Sequence, residues 1–248
     1  MYHSITIGSK NTWDDWKLVP VSRPVVVPPK RKTNYVDIPG ASSALDLSEA
    51  LTRFPLYNDR EGTWEFYVMN PERPDWNTQL NEDYWVVKYS EVSSYLNGMK
   101  TTAILEDDPM YYYSGSFWVD SWKSDKDWSK ITIGYRVEPY KLYTTMNGLQ
   151  LPPETPRHIG GENHIIEMMP VVPELVVSNG PVDIKFINKE LGINRTHNFS
   201  VGTYKPSWMI FSNLRGETAD GTPWNVEIQN FSTPGYGTAT LSWRNGRL

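Results

Sequence analysis

Asp37, Asp46 and Glu49 fall close together in KTNYVDIPGASSALDLSEAL, residues 32–51. Two carboxyl groups held at a set separation can cleave a glycoside, one as acid and the other as base or nucleophile. Asp and Glu are common surface residues, however, and nothing in this stretch fixes their distance, so capping within LDLSEAL or surface pairing is the expected role. LEDDP, residues 105–109, concentrates acid but lacks the Asp-x-Asp-x-Asp-Gly order of a calcium loop, and reads as a solvated turn. HIGGENH brings His158 and His164 near one another in a Gly-containing loop that matches no zinc pattern. G-x-S-x-G, Walker, G-x-G-x-x-G and H-E-x-x-H motifs do not occur. No catalytic, cofactor-binding or metal residue is assigned, no cofactor is expected, and the chain reads as a non-enzyme.

Aromatic residues are the more informative excess: 11 Trp, 15 Tyr and 7 Phe. Trp13, Trp16, Trp118, Trp122 and Trp128, with Tyr111, Tyr112 and Tyr113, would fill a core. Consecutive strand residues point to opposite faces, so some of these rings must lie outside it, where Trp and Tyr anchor protein contacts or stack on sugars.

The elements that would carry these residues are mostly strands. LVPVSRPVVVPPKRK, residues 18–32, cannot be a central strand because each Pro removes a ladder donor, and it reads as an extended edge or arm. GTWEFYVMN sets Trp64, Phe66 and Val68 against Glu65, Tyr67 and Met69, the period of a half-buried strand. Residues 81–98 hold the best helix pattern, with Trp85, Tyr89, Val92 and Leu96 on one face, Asn81 as N-cap and Gly98 as the left-handed stop. KTTAILED, SGSFWVDSW and SKITIGYRVEPY read as strands, the last with Ile131, Ile133, Tyr135 and Val137 facing one way. Residues 144–163 are rich in Pro and Gly and read as a loop or junction. Beyond it PVDIKFI, HNFSVG, SWMIF, WNVEIQ and TATLSW read as short strands of a small β-sandwich.

The chain has 248 residues, a net charge of -5 and no Cys. That charge disfavours a protein built to neutralise many phosphates, though a channel wall past which DNA slides would benefit from it. Without Cys there are no disulfides, thiolate nucleophiles or Cys-based zinc sites. The start, MYHSITIGSK, has no apolar signal core and no run reaches the ~18 apolar residues of a membrane span, so neither export nor membrane insertion is expected.

IGSKNTWDDWKLVPVSRPVVVPP, KTNYVDIPGASSALDLSEAL and KTTAILEDDPMYYYSGSFWVDSWKSDKDWSKITIGYRVEPYK resemble, in that order, the N-terminal domain of distal tail proteins from siphophages of Gram-positive hosts. GTATLSWRNGRL is similar to the family's C-terminal ending. The resemblance implies a mainly β chain: residues 1–143 as a belt domain of antiparallel strands with one α-helix, and 144–248 as a galectin-like β-sandwich. It further implies a homohexameric ring at the distal end of a phage tail, assembled in the host cytoplasm. Its partners would be the tail tube protein, the tail-hub or tail-associated lysin protein, the tape measure protein and receptor-binding proteins, with DNA a passenger through the lumen. Under this reading the opening carboxylates are fittings, and Trp13, Trp16, Tyr35, Asp37 and Asp46 are the candidate inter-subunit contacts. The alternative is a carbohydrate-binding virion module that uses Trp208 or Trp224 as a stacking platform for cell-wall sugar.

Overall fold

The computed structural model describes residues 3–40, 42–50, 54–69, 82–124, 128–159, 169–211, 226–232 and 237–248, with the backbone alone for 82–85. Contacts divide the chain into two compact units, Met1–Thr33 with Leu56–Leu142, and Asn34–Pro55 with Tyr143–Leu248. It is mainly β, with one described helix.

In chain order the strands of the first stretch are β1 (Ile5–Ile7), β2 (Lys10–Asn11) and β3 (Leu18–Pro20). A hairpin, β4 (Tyr35–Val36) and β5 (Leu45–Asp46), belongs to the second unit. Then come β6 (Arg60–Val68), α1 (Glu82–Tyr95), β7 (Asn97–Leu105), β8 (Tyr111–Ser124), β9 (Ser129–Val137) and β10 (Lys141–Tyr143). The first unit's sheet runs β2-β1-β7-β8-β9-β6-β3 with antiparallel neighbours. Alternation decides which side is buried. Trp64 lies opposite Ile133 and Phe66 opposite Ile131 in the β6–β9 ladder, and all four are buried. Cross-strand pairs of this kind are the unit of sheet stabilisation, at roughly 0.2–1 kcal/mol each.

The helix was expected over 81–98, and its apolar stripe does what the spacing required: Val92 and Leu96 are buried and Tyr89 packs beside them. Gly98 sits at φ +83°, the left-handed stop that favours glycine. Asn81 and the side chain of Trp85 lie outside the described residues. The opening ITI segment, too short to show a period, forms β1 with Ile5 and Ile7 fully buried against β7. LEDDP is a turn, but its acids are engaged rather than merely solvated. Glu106 accepts from the Ser4 backbone N–H at 2.7 Å, and Asp107 lies 2.9 Å from His3 Nδ1 and 2.8 Å from Arg23 Nε. Asp108 pairs with Lys141 at 2.5 Å.

The proline-rich arm is extended, as its composition requires, and side chains of the sheet help to hold it. Trp64 stacks between Phe117 and Tyr135, at centroid distances of 6.1 and 4.4 Å. Its indole Nε1 donates to Val25 O at 2.9 Å, while the Val27 N–H donates to the Tyr135 hydroxyl at 3.2 Å. Further along, Lys32 N–H donates to Leu56 O and Asn58 N–H to Lys30 O, both at 2.8 Å.

The second unit contains β11 (Asn147–Leu151), β12 (Arg157–Ile159), β13 (Glu174–Ser178), β14 (Val182–Asn188) and β15 (Ile193–Phe199). It continues with β16 (Gly202–Tyr204), β17 (Val226–Asn230), β18 (Thr238–Trp243) and β19 (Gly246–Arg247). Two sheets, β11-β18-β13-β16 and β12-β17-β14-β15, supply one core that includes Leu175, Leu241, Ile184, Phe186 and Ile228. Two expectations are corrected. Residues 144–163 were read as a loop, yet β11 and β12 form there because β18 and β17 supply their ladders. SWMIF was read as a strand, but Met209 N–H closes a turn on Pro206 O and only Phe211 bridges, to Val171. Met209 and Phe211 still fill the core.

Two predictions follow from these contacts. A Cβ at Gly62 would lie 2.7 Å from Tyr135 Cζ, with the hydroxyl closer still. Gly62→Ala therefore displaces the ring that holds Val27 and lowers stability by about 1–3 kcal/mol in denaturant titration; an unchanged midpoint contradicts the packing. The bonds from His3, and then from Arg23, hold the Asp107 carboxyl below its ordinary pKa. A depressed carboxylate stabilises the fold above the unfolded pKa and loses that contribution as pH falls through the folded value. Asp107→Asn should flatten the acid limb of the stability curve, and superimposable acid limbs contradict the clamp.

Candidate functional site

The segment holding Asp37, Asp46 and Glu49 is a two-stranded hairpin that stands apart from both larger sheets of its unit. Its turn lies at Pro39-Gly40, with Gly40 at φ +86°. Tyr35 pairs with Asp46 and Val36 with Leu45. Directly paired residues share a face, so Tyr35 and Asp46 occupy one side and Val36 and Leu45 the other. Asp37, two residues on from Tyr35, is exposed. Tyr35, Val36, Ile38 and Leu45 are exposed as well, Tyr35 at 60%. A lone two-stranded hairpin is marginal in water, and one that shows both faces leaves apolar area for a partner to cover. Asp46 performs the local task expected of it: its Oδ1 accepts from the Ser48 backbone N–H at 2.9 Å and from the Ser48 hydroxyl. That hydroxyl in turn accepts from Asn34 N–H at 2.8 Å, which pins the base of the hairpin.

Of the other candidate contacts, Trp16 is fully buried and edges onto Tyr95 at 5.5 Å, so its ring belongs to the first core. Trp13 is half-buried, with Lys17 Nζ 5.4 Å from its ring. Trp122 is the ring that the two-face argument required outside, at 52% exposure. Trp208 is half-buried and packs on the second core, 5.9 Å from Phe186 and 6.4 Å from Phe199; Trp224 lies outside the described residues. His158 faces Glu227 across the β12–β17 ladder, with Nε2 3.2 Å from Oε2, and His164 lies outside the described residues. Among the described residues there is no cluster of His, Cys, Asp and Glu that could hold a metal, and no helix long and apolar enough to cross a membrane.

A second feature went unread in the sequence. Val27, Pro28, Lys30, Lys32, Asn58, Asp59, Arg60, Glu61 and Arg136 line an open cavity of about 550 Å³ in the first unit. Its lining comes from the arm, which bonds to residues 56–58, from the start of β6 and from Arg136 of β9. Arg136 is committed to Asp59 and Glu61, at 2.9 and 3.3 Å. Arg60 is different: it is only 5% exposed, its Nε donates to Pro139 O at 2.8 Å, and its buried Nη2 has no hydrogen-bond partner among the described residues. Its guanidinium carbon lies 5.6 Å from the Tyr113 ring centre. Burial pulls the Arg60 pKa down, against smaller opposing effects from Tyr113 and Tyr135. Lys30 and Lys32 are exposed at the same rim, and neither forms an ion pair among the described residues. The run Lys30-Arg31-Lys32 looked like ordinary solvated charge in the sequence; Arg60, thirty residues away and preceding a strand pattern, carried no sign of its burial.

No protein-family model matches the chain, and no curated protein sequence matches it. The fold is that of a known class of solved structures. The chain is similar to the crystal structure of SPP1 Dit (gp 19.1), described as a paradigm of the hub adsorption apparatus in Gram-positive infecting phages: TM-score 0.62 and 10% identity, over 99% of each chain.

Leaving a guanidinium nitrogen buried without a partner costs stability, and an apolar side chain of similar volume avoids that cost. Arg60→Met should therefore melt no lower than the wild type by calorimetry. A fall of several degrees would show that Arg60 is a structural support and not a charge held for a ligand.

Proposed function

We propose that this chain is a structural distal-tail protein of a bacteriophage: a hub at the tail tip that closes as a homohexameric ring, joins the tail tube to the tail-hub or tail-associated lysin protein, and carries receptor-binding proteins. The single observation that carries the reading is the fold likeness to SPP1 Dit, because it runs over 99% of both chains and so covers both units. The sequence resemblance over residues 1–143 points the same way. In this reading residues 1–143 are the ring-forming belt and residues 144–248 are the galectin-like outer domain. The work is done by shape and multivalent docking, with no bond made or broken. A ring of one protein closes through a heterologous contact, in which one patch meets a different patch on the neighbour. The exposed hairpin is suitable material for one such patch. A net charge of -5 per chain suits a lumen that DNA must pass without adhering.

Light scattering on the purified protein should return about six times 28.6 kDa. A monomer mass at every concentration reached would contradict the ring.

A further inference from the structure

The open cavity of about 550 Å³ lies wholly within the first unit, and the register of the arm decides which of its side chains reach it. Arg31 bridges Tyr57, while Lys32 N–H donates to Leu56 O and Asn58 N–H to Lys30 O. Lys30 therefore stands opposite Asn58, and alternation turns Lys30, Lys32 and Asn58 to one face and Arg31 and Tyr57 to the other. The cavity obeys that rule: its lining includes the first three and neither of the last two. The side chains of Lys30, Lys32 and Asn58 have no hydrogen-bond or ion-pair partner among the described residues. Arg136, in the same lining, is held by Asp59 and Glu61. The lining carries Lys30, Lys32, Arg60 and Arg136 against Asp59 and Glu61, an excess of two positive charges in a chain whose net charge is -5.

We propose that this cavity binds a small organic phosphate monoester. A phosphate monoester carries about −1.5 to −2 charges at pH 7, which balances the excess. Two ammonium groups on flexible stems and one neutral amide can meet a tetrahedral set of oxygens from several directions, whereas a planar carboxylate is taken best by the flat fork of a guanidinium. The exposed guanidinium in the lining, Arg136, already has its carboxylates. Asp59 and Glu61 repel an extended polyanion, so the site suits one phosphate group and not a nucleic-acid strand. Val27, 40% exposed, and Pro28 add an apolar wall that a bare ion would not use. The volume falls within the roughly 300–1,000 Å³ of small-molecule pockets, which leaves room for a carbon skeleton beside the phosphate. Bound there, the ligand ties the arm at Lys30 and Lys32 to Asn58, just ahead of β6. The site does not depend on whether copies of the chain close into a ring.

The test is calorimetric titration of the full-length protein with phenyl phosphate, benzoate and inorganic phosphate at one ionic strength. One phenyl phosphate per chain should bind, about tenfold or more tighter than either of the others. The double change Lys30→Gln with Lys32→Gln should weaken that binding by about tenfold or more. It should leave the melting temperature of the unliganded protein unchanged, since both side chains are exposed and unpartnered among the described residues. Arg31→Gln removes a cation of the same run from the opposite face and should keep the affinity within about twofold. A loss with Arg31→Gln as large as with the lysine pair would overturn the site, because the attraction would then be a diffuse effect of the arm's charge. Benzoate bound as tightly as phenyl phosphate would overturn the choice of phosphate, and inorganic phosphate bound as tightly would overturn the place of the carbon skeleton. No binding of phenyl phosphate at millimolar concentration would overturn the proposal as a whole.

Discussion

The stack of Trp64 between Phe117 and Tyr135 is the interaction on which the first unit's surface depends. The arm between residues 21 and 32 cannot hold itself to the sheet through a regular ladder, since its prolines lack the donors. The two aromatic side chains supply what is missing: the indole donates to Val25 O, and the Tyr135 hydroxyl receives Val27 N–H. The same rings bury a large apolar area, so the anchor and the core are one structure. Gly62 is the concession that makes this possible, because any side chain there would occupy the space of the Tyr135 ring.

What the anchored arm produces is a wall. Val27, Pro28, Lys30 and Lys32 are placed beside the start of β6, and together with Arg60 they line one open cavity. Stability alone would not favour this arrangement. A guanidinium nitrogen buried without a hydrogen-bond partner among the described residues is a cost, and costs of this kind concentrate where a surface has to bind something. The hairpin shows the converse economy: two short strands with exposed Tyr35, Val36, Ile38 and Leu45 gain little from folding alone and much from being covered.

Much of the fold was legible where a period repeated. β6 and β9 bury the residues their alternation assigned, α1 buries Val92 with Leu96 just past its end, and TATLSW is β18 to the residue. Misreadings fall where partners, not local pattern, decide. β1 is three residues long and β12 likewise, and each exists because a neighbouring strand supplies its hydrogen bonds. SWMIF has strand composition, but the turn at Pro206 diverts it. For the site, Tyr35, Asp37 and Asp46 were named as contact candidates from the sequence, but the pairing of β4 with β5 that groups them on one hairpin is a product of the fold. Trp16 could not be sorted into the core, since a single Trp shows no preference for a face until its neighbours are known. The Arg60 cavity was invisible for the same reason: its members come from the arm, β6 and β9, and only the fold brings them together.

The central claim is that copies of this chain close head to tail around an open centre. Class averages of the purified protein in negative-stain electron micrographs test it directly. The account predicts an annulus with sixfold rotational symmetry and a clear lumen; a twofold particle in which the same face meets itself would contradict it.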